Sequence, residues 1–168
     1  KFELYQGHCV RVINQQHAIS EIHDILEKEC LQKKRTTRAV MTIDWKMKFE
    51  AKSARETTQQ HFGKRGMSWH GCLVEYYRPI TVSETQEDGS IVEKVEAERV
   101  NVYIDQIMEG TNKQNAMTVG CMVEAALKHV RKQLPEIESI ILQSDNAKCY
   151  NSNLLRVLIA LINSRSPL

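Results

Sequence analysis

The chain has 168 residues, a formal net charge of +2, 42% hydrophobic and 26% charged side chains, which are proportions of a folded domain and exclude a disordered or fibrous chain. That length suits one domain burying about two-thirds of its unfolded surface. No run approaches the ~18 apolar residues of a membrane span and no charged-then-apolar leader is present, so no membrane partner is expected.

The cysteines (Cys9, Cys30, Cys72, Cys121, Cys149) are odd in number and form no Cys-x-x-Cys pair. A disulfide framework is therefore not expected, and a reducing intracellular compartment is. The chain opens on Lys1 rather than Met and closes in Ser164-Arg165-Ser166-Pro167-Leu168, so both ends are expected to continue into a longer protein.

Between Ile13 and Lys34, apolar residues recur at Ile19, Ile22, Leu26 and Cys30, the spacing of one helix face. The run Ala39-Val40-Met41-Thr42-Ile43-Asp44-Trp45 reads as a strand buried on both faces, and so as the middle of a sheet. Asp44 is the anomaly in it, because an ionised carboxylate costs several kcal/mol to bury without a partner. A neighbouring Lys or Arg is one answer, and a metal ion is the other.

Residues 33–66 are strongly basic, with Lys33, Lys34, Arg35, Arg38, Lys46, Lys48, Lys52, Arg55, Lys64 and Arg65 against Asp44, Glu50 and Glu56. Such a segment faces phosphates or solvent. Ser68–Tyr77 is a second predicted strand, with Pro79 as its stop. The acidic stretch Ser83–Glu98 contains Glu87-Asp88-Gly89-Ser90 and reads as a solvated hairpin tip.

Val100–Met108 alternates, with Val102, Ile104 and Gln106 on one face and Tyr103 and Asp105 on the other. A helix over about Asn115–Leu134 carries the stripe Val119, Val123, Ala126, Leu127, Val130 and Leu134, and Pro135 ends it. Ile137–Gln143 is a fourth strand running into Ser144-Asp145-Asn146, and Ser152–Asn163 is an apolar helix.

Three strands joined without helices predict an antiparallel meander. The helical crossover after the third permits a parallel fourth strand. If the two apolar strands pair, Asp44 and Asp145 meet at their carboxyl ends, where open α/β sheets bind ligands. Two adjacent carboxylates repel, and a hard divalent cation, Mg²⁺ or Mn²⁺, removes the conflict and suits phosphate chemistry. Plain turn chemistry is the alternative for Asp145. For His61, His70 and Cys72, zinc ligation and simple packing are both open.

The element order, with Thr42-Ile43-Asp44 in the first strand and Ser144-Asp145-Asn146-Ala147-Lys148-Cys149-Tyr150 after the fourth, resembles the ribonuclease-H-like superfamily. Within it the chain is most similar to DDE transposase and retroviral-integrase cores. The pattern covers about Ala39–Asn163, and Ala147 stands where that family usually has glycine. The resemblance implies an α/β, ribonuclease-H-like mixed sheet with flanking helices, truncated at the C-terminus. Residues 1–38 would be an N-terminal helical segment and 39–168 an incomplete catalytic core.

It further implies Asp44 and Asp145 as catalytic metal ligands for Mg²⁺ or Mn²⁺, and a third acid. No Asp or Glu follows Asp145, so that acid is expected beyond Leu168 or is absent, with Glu124 as substitute. Arg38, Lys46, Lys48, Lys52, Arg55, Lys64 and Arg65 would contact DNA, or RNA, with Trp69 and His70 stacking or packing. The activity implied is DNA strand cleavage and transfer, in a nuclear homo-oligomer if the source is eukaryotic. The alternatives are a structure-selective nuclease using Glu124, and an inactive domesticated domain that binds nucleic acid.

Overall fold

The computed structural model of the chain describes residues 2–49, 54–59, 66–86, 90–108 and 113–165. Its elements run α1 (Phe2–Lys33), β1 (Arg38–Phe49), β2 (Met67–Thr85), β3 (Ile91–Ile107), α2 (Ala116–Gln133), β4 (Ser139–Ser144) and α3 (Asn153–Arg165). The strands form one sheet in the order β3-β2-β1-β4, three antiparallel and the fourth parallel. This is the ribonuclease-H-like arrangement that the element order predicts.

β1 lies between β2 and β4 because its side chains accept burial on both faces. Ala39, Val40, Met41 and Ile43 are each at most 2% exposed. Between Ala39 and Trp45 the polar side chains of β1 are Thr42, which is half-buried, and Asp44, which is exposed.

Two compact units emerge, one of Lys1–Arg38 with Tyr76–Val100 and one of Ala39–Glu75 with Asn101–Leu168. The N-terminal helical segment thus has the far arms of β2 and β3 in its unit. There His23, Leu26 and Cys30 are the buried positions of α1, and the His23 ring meets that of Tyr77 edge-on at 6.0 Å.

Four element boundaries differ from the sequence reading, the first being that β1 runs on past Trp45 to Phe49 and so holds Asp44 within the strand. α1 begins at Phe2, well before Ile13. Phe2, Tyr5, Cys9 and Val12 recur at helical spacing and carry the stripe toward the N-terminus, although Gly7 weakens the helix signal locally. β2 runs through Pro79 to Thr85. The Thr36 hydroxyl caps the Tyr77 carbonyl at 2.7 Å, just before β1 begins, so β2 beyond Tyr77 pairs on one side only, where proline is tolerated. β3 starts at Ile91, inside the acidic stretch. Its arm is exposed, and Gln86 N–H donates to the Ser90 carbonyl at 2.9 Å, while Glu87, Asp88 and Gly89 lie outside the described residues.

In the second unit α2 opens on an Asn115 cap, whose side chain accepts from Thr118 N–H at 3.0 Å. The helix buries Val119, Val123, Ala126 and Val130 at helical spacing, while Leu127 is half-buried. Ser152 caps α3 by accepting from Leu155 N–H at 3.1 Å. Although α3 is apolar throughout, Leu155 is its one buried residue, and Leu154, Val157 and Leu161 are about half exposed. Among the described residues no helix is long and apolar enough to cross a membrane.

Candidate functional site

Side chains alternate along β1, so Thr42, Asp44 and Lys46 share one face while Met41, Ile43 and Trp45 take the other. The second face is the one helices cover. Met41 lines a cleft with Val123 and Leu127 of α2, Leu142 of β4, and Ile159 and Ile162 of α3. On the open face the Thr42 hydroxyl lies 3.3 Å from Gln143 Oε1. That contact ties the register of β1 to β4.

Asp44 stands two residues beyond Thr42 in β1, and Asp145 stands two beyond Gln143 and one past the end of β4; both are exposed. β4 ends at Ser144, so Asp44 sits where β1 loses this neighbour.

The turn after β4 is built from its own side chains. Asp145 Oδ1 accepts from Ala147 N–H at 3.0 Å, the Ala147 carbonyl accepts from Tyr150 and Asn151 N–H, and Asn151 Nδ2 donates to Asn146 Oδ1 at 2.6 Å. This turn drops the Tyr150 ring inward, to 5% exposure. Burial raises the Tyr150 phenol far above its ordinary pKa, and the negative charges of Asp44 and Asp145 both add to the rise. One buried hydroxyl therefore feels both carboxylates.

No cation among the described residues pairs with Asp44, while Lys52, Lys64 and Arg65 lie outside them. The nearest candidate, Lys46, instead reaches Asp105 Oδ1 at 2.6 Å and lies 4.7 Å over the Trp69 ring. The Lys46 hydrogen bond holds the Asp105 carboxyl below the usual range. Gly71 makes this crossing possible, since a Cβ there would stand 2.6 Å from Lys46 Cε.

Beneath the sheet is a buried polar group. Gln106 Nε2 donates to the Met122 carbonyl at 2.9 Å, which presents its Oε1 to His70 Nδ1 at 3.1 Å. Nδ1 therefore carries the imidazole proton. Burial lowers the His70 pKa, against the Gln106 hydrogen bond and the charge of Asp44. Cys72 Sγ lies 3.7 Å from the same nitrogen, and burial pushes its thiol up to about 11. The His70 ring meets Trp45 edge-on at 4.9 Å and lies 6.2 Å from Tyr150. His70 Nε2, Trp45 Nε1 and the Tyr150 hydroxyl are buried with no hydrogen-bond partner among the described residues.

Several expected roles meet these facts. His70 is fully buried and cannot stack on a base, so that expectation is corrected. With Cys72 it packs in the core, while His61 lies outside the described residues. Trp69 is half-buried under Lys46. Lys48 and Arg55 are exposed, Arg38 pairs with Glu29 at 3.4 Å, and Lys52, Lys64 and Arg65 lie outside the described residues. Glu124 pairs with Lys128 at 2.8 Å and lines a groove between α2 and α3. Among the described residues no three His, Cys, Asp or Glu side chains converge, so Glu124 does not join Asp44 and Asp145.

Gln106 and Tyr150 were missed as site residues. The available signals were a polar residue on the apolar face of β3 and an aromatic shortly after Asp145.

No protein-family model matches the chain, and no curated protein is similar enough to count as a relative. Among solved structures the chain is similar to the Mos1 transposase paired-end complex with left transposon end, at 13% identity and a TM-score of 0.39. The match covers 74% of this chain and 33% of that one, so the chain spans about a third of that protein. A likeness at this level carries no argument.

Proposed function

We propose that Asp44 and Asp145 are the paired carboxylates of a divalent-metal site for polynucleotidyl transfer, in the manner of transposase and integrase cores. The observation that supports this reading is the Thr42–Gln143 contact between neighbouring β1 and β4, since each partner lies two residues before one of the two carboxylates. Oxygen donors, exposed and without a cation partner among the described residues, suit Mg²⁺ or Mn²⁺.

A bound ion supplies Lewis-acid stabilisation of phosphate oxygens and an activated nucleophile. The chain's own part is to orient the ligands. The turn hydrogen bond from Ala147 holds one Asp145 oxygen, and the exposed Lys48 and Arg55 offer salt-sensitive contacts to a DNA backbone.

Titration of the chain with Mn²⁺, followed by calorimetry and by the paramagnetic loss of nearby NMR signals, tests the assignment. Wild type should bind saturably, and Asp44→Asn and Asp145→Asn should each abolish binding while circular dichroism stays unchanged. Undiminished binding in either variant overturns the reading. A second reading, a nucleic-acid-binding domain without cleavage activity, is favoured by the absence of a third converging acid among the described residues. Salt-sensitive DNA binding without Mn²⁺ binding would establish it.

A further inference from the structure

The open face of the sheet carries a second feature beside the carboxylates. Tyr103, in the interior of β3, is 69% exposed, whereas Val102 and Ile104 on either side are half-buried. A lone surface aromatic is unremarkable, but this one has a built setting. With Thr42, Asp44, Lys46, Gly71, Cys72 and Leu73 it lines a shallow depression of about 170 Å³.

The floor of that depression is held in place. Met108 N–H bonds the Ser68 carbonyl at 2.9 Å, a pairing of β2 with β3 that carries Leu73 opposite Tyr103 further along. Lys46 lies flat across Gly71 and is tied at its far end to Asp105. With Lys46 paired to Asp105, the Tyr103 ring is an exposed apolar surface at the rim of the depression. Helices α2 and α3 pack on the other side of the sheet, against Met41.

We propose that Tyr103 is a stacking platform for an unpaired nucleobase adjacent to the phosphate bound at Asp44 and Asp145. The inference rests on the metal reading of that pair and names its substrate class: a strand unpaired at the reacting position, such as a frayed end or a flap, rather than an intact duplex. β1 and β3 are two strand spacings apart, about 10 Å, a span that one nucleotide bridges from its phosphate to the far edge of its base. Within a duplex both faces of an internal base are covered by its neighbours, so an open phenol ring can stack on such a base only once it has left the helix. Tyrosine suits the task because its rigid ring loses little conformational entropy on contact.

The test uses oligonucleotides of about a dozen nucleotides carrying a central 2-aminopurine, whose fluorescence is quenched by stacking: single-stranded DNA, single-stranded RNA and a blunt DNA duplex, each with the full chain and Mn²⁺. The single strands should bind more tightly than the duplex and be quenched, and whichever is held more tightly identifies the natural strand. Tyr103→Ala should weaken binding of that strand about fivefold to a hundredfold, the range of one base–aromatic stack, and abolish the quench. Tyr103→Phe should retain both.

Wild-type affinity or a persisting quench in Tyr103→Ala overturns the proposal. Mn²⁺ affinity measured on the same proteins separates the two ideas. Tyr103→Ala should keep it, and a wild type that quenches 2-aminopurine through Tyr103 but binds no Mn²⁺ would remove the metal reading and leave the platform standing.

Discussion

Lowering the pH below 6.5 is expected to destabilise the protein through His70. The imidazole is fully buried, Nδ1–H is committed to Gln106 Oε1, and Nε2 has no partner among the described residues. A second proton on Nε2 would be a buried charge whose N–H finds no acceptor, so burial holds the His70 pKa below the ordinary 6.5. The unfolded chain protonates this ring near 6.5 while the folded chain does not, and in that interval the unfolded state binds more protons. Stability from this group is therefore complete above pH 6.5 and is lost as the pH falls toward the depressed folded value.

One site gives a slope of at most about 1.4 kcal/mol per pH unit. The carboxylates with lowered pKa values, Glu29, Asp105 and Glu124, act only below their ordinary values of 4.5, 3.8 and 4.5, so between 6.5 and about 5 the histidines dominate and a His70 variant isolates this one. Urea unfolding followed by tryptophan fluorescence should report it well, since Trp45 touches His70. Wild type should lose stability across that interval more steeply than His70→Gln. A flat wild-type profile, or equal slopes in both proteins, would refute the reasoning.

Tyr150→Phe should leave stability unchanged or raise it by about 1 kcal/mol, because the buried hydroxyl has no partner among the described residues and such a group is costly to the fold. A loss of more than about 1 kcal/mol in urea titration would reveal a partner for that oxygen. Iodoacetamide at pH 8 should alkylate exposed Cys121 quickly and spare Cys72, whose buried thiol titrates only at about 11. Mass spectrometry finding both labelled at one rate would contradict the burial. At the α2–α3 contact a Cβ on Gly120 would lie 2.9 Å from Leu158 Cδ1. Gly120→Val should cost about 1–3 kcal/mol by overpacking, whereas Gly120→Ala should stay near neutral, its gain in helix propensity of about 1 kcal/mol offsetting the push on a flexible side-chain end. Thermal unfolding of the pair checks both signs.

Where an element has one clear apolar periodicity, the amino-acid order alone was enough to find it. The stripe from Val119 to Val130 marked α2 and the unbroken run at Ala39–Ile43 marked a central strand, because burial selects side chains locally. The same logic exposed Asp44, since a carboxylate in such a run breaks the local rule. It failed at Pro79 and in the acidic arm of β3, where the strand is set by its partner rather than by its own residues.

Composition and spacing, then, determined the kind and order of the elements, and pointed to two acids at the ends of two strands. Only the tertiary structure decided that Lys46 answers Asp105 and not Asp44, that Gln106 dictates the tautomer of a buried His70, and that Tyr103 faces outward beside Asp44. Thr42 meets Gln143 across 101 positions and Lys46 meets Asp105 across 59. Strand register and the face each side chain takes are properties of the paired sheet, which no short window of the chain contains.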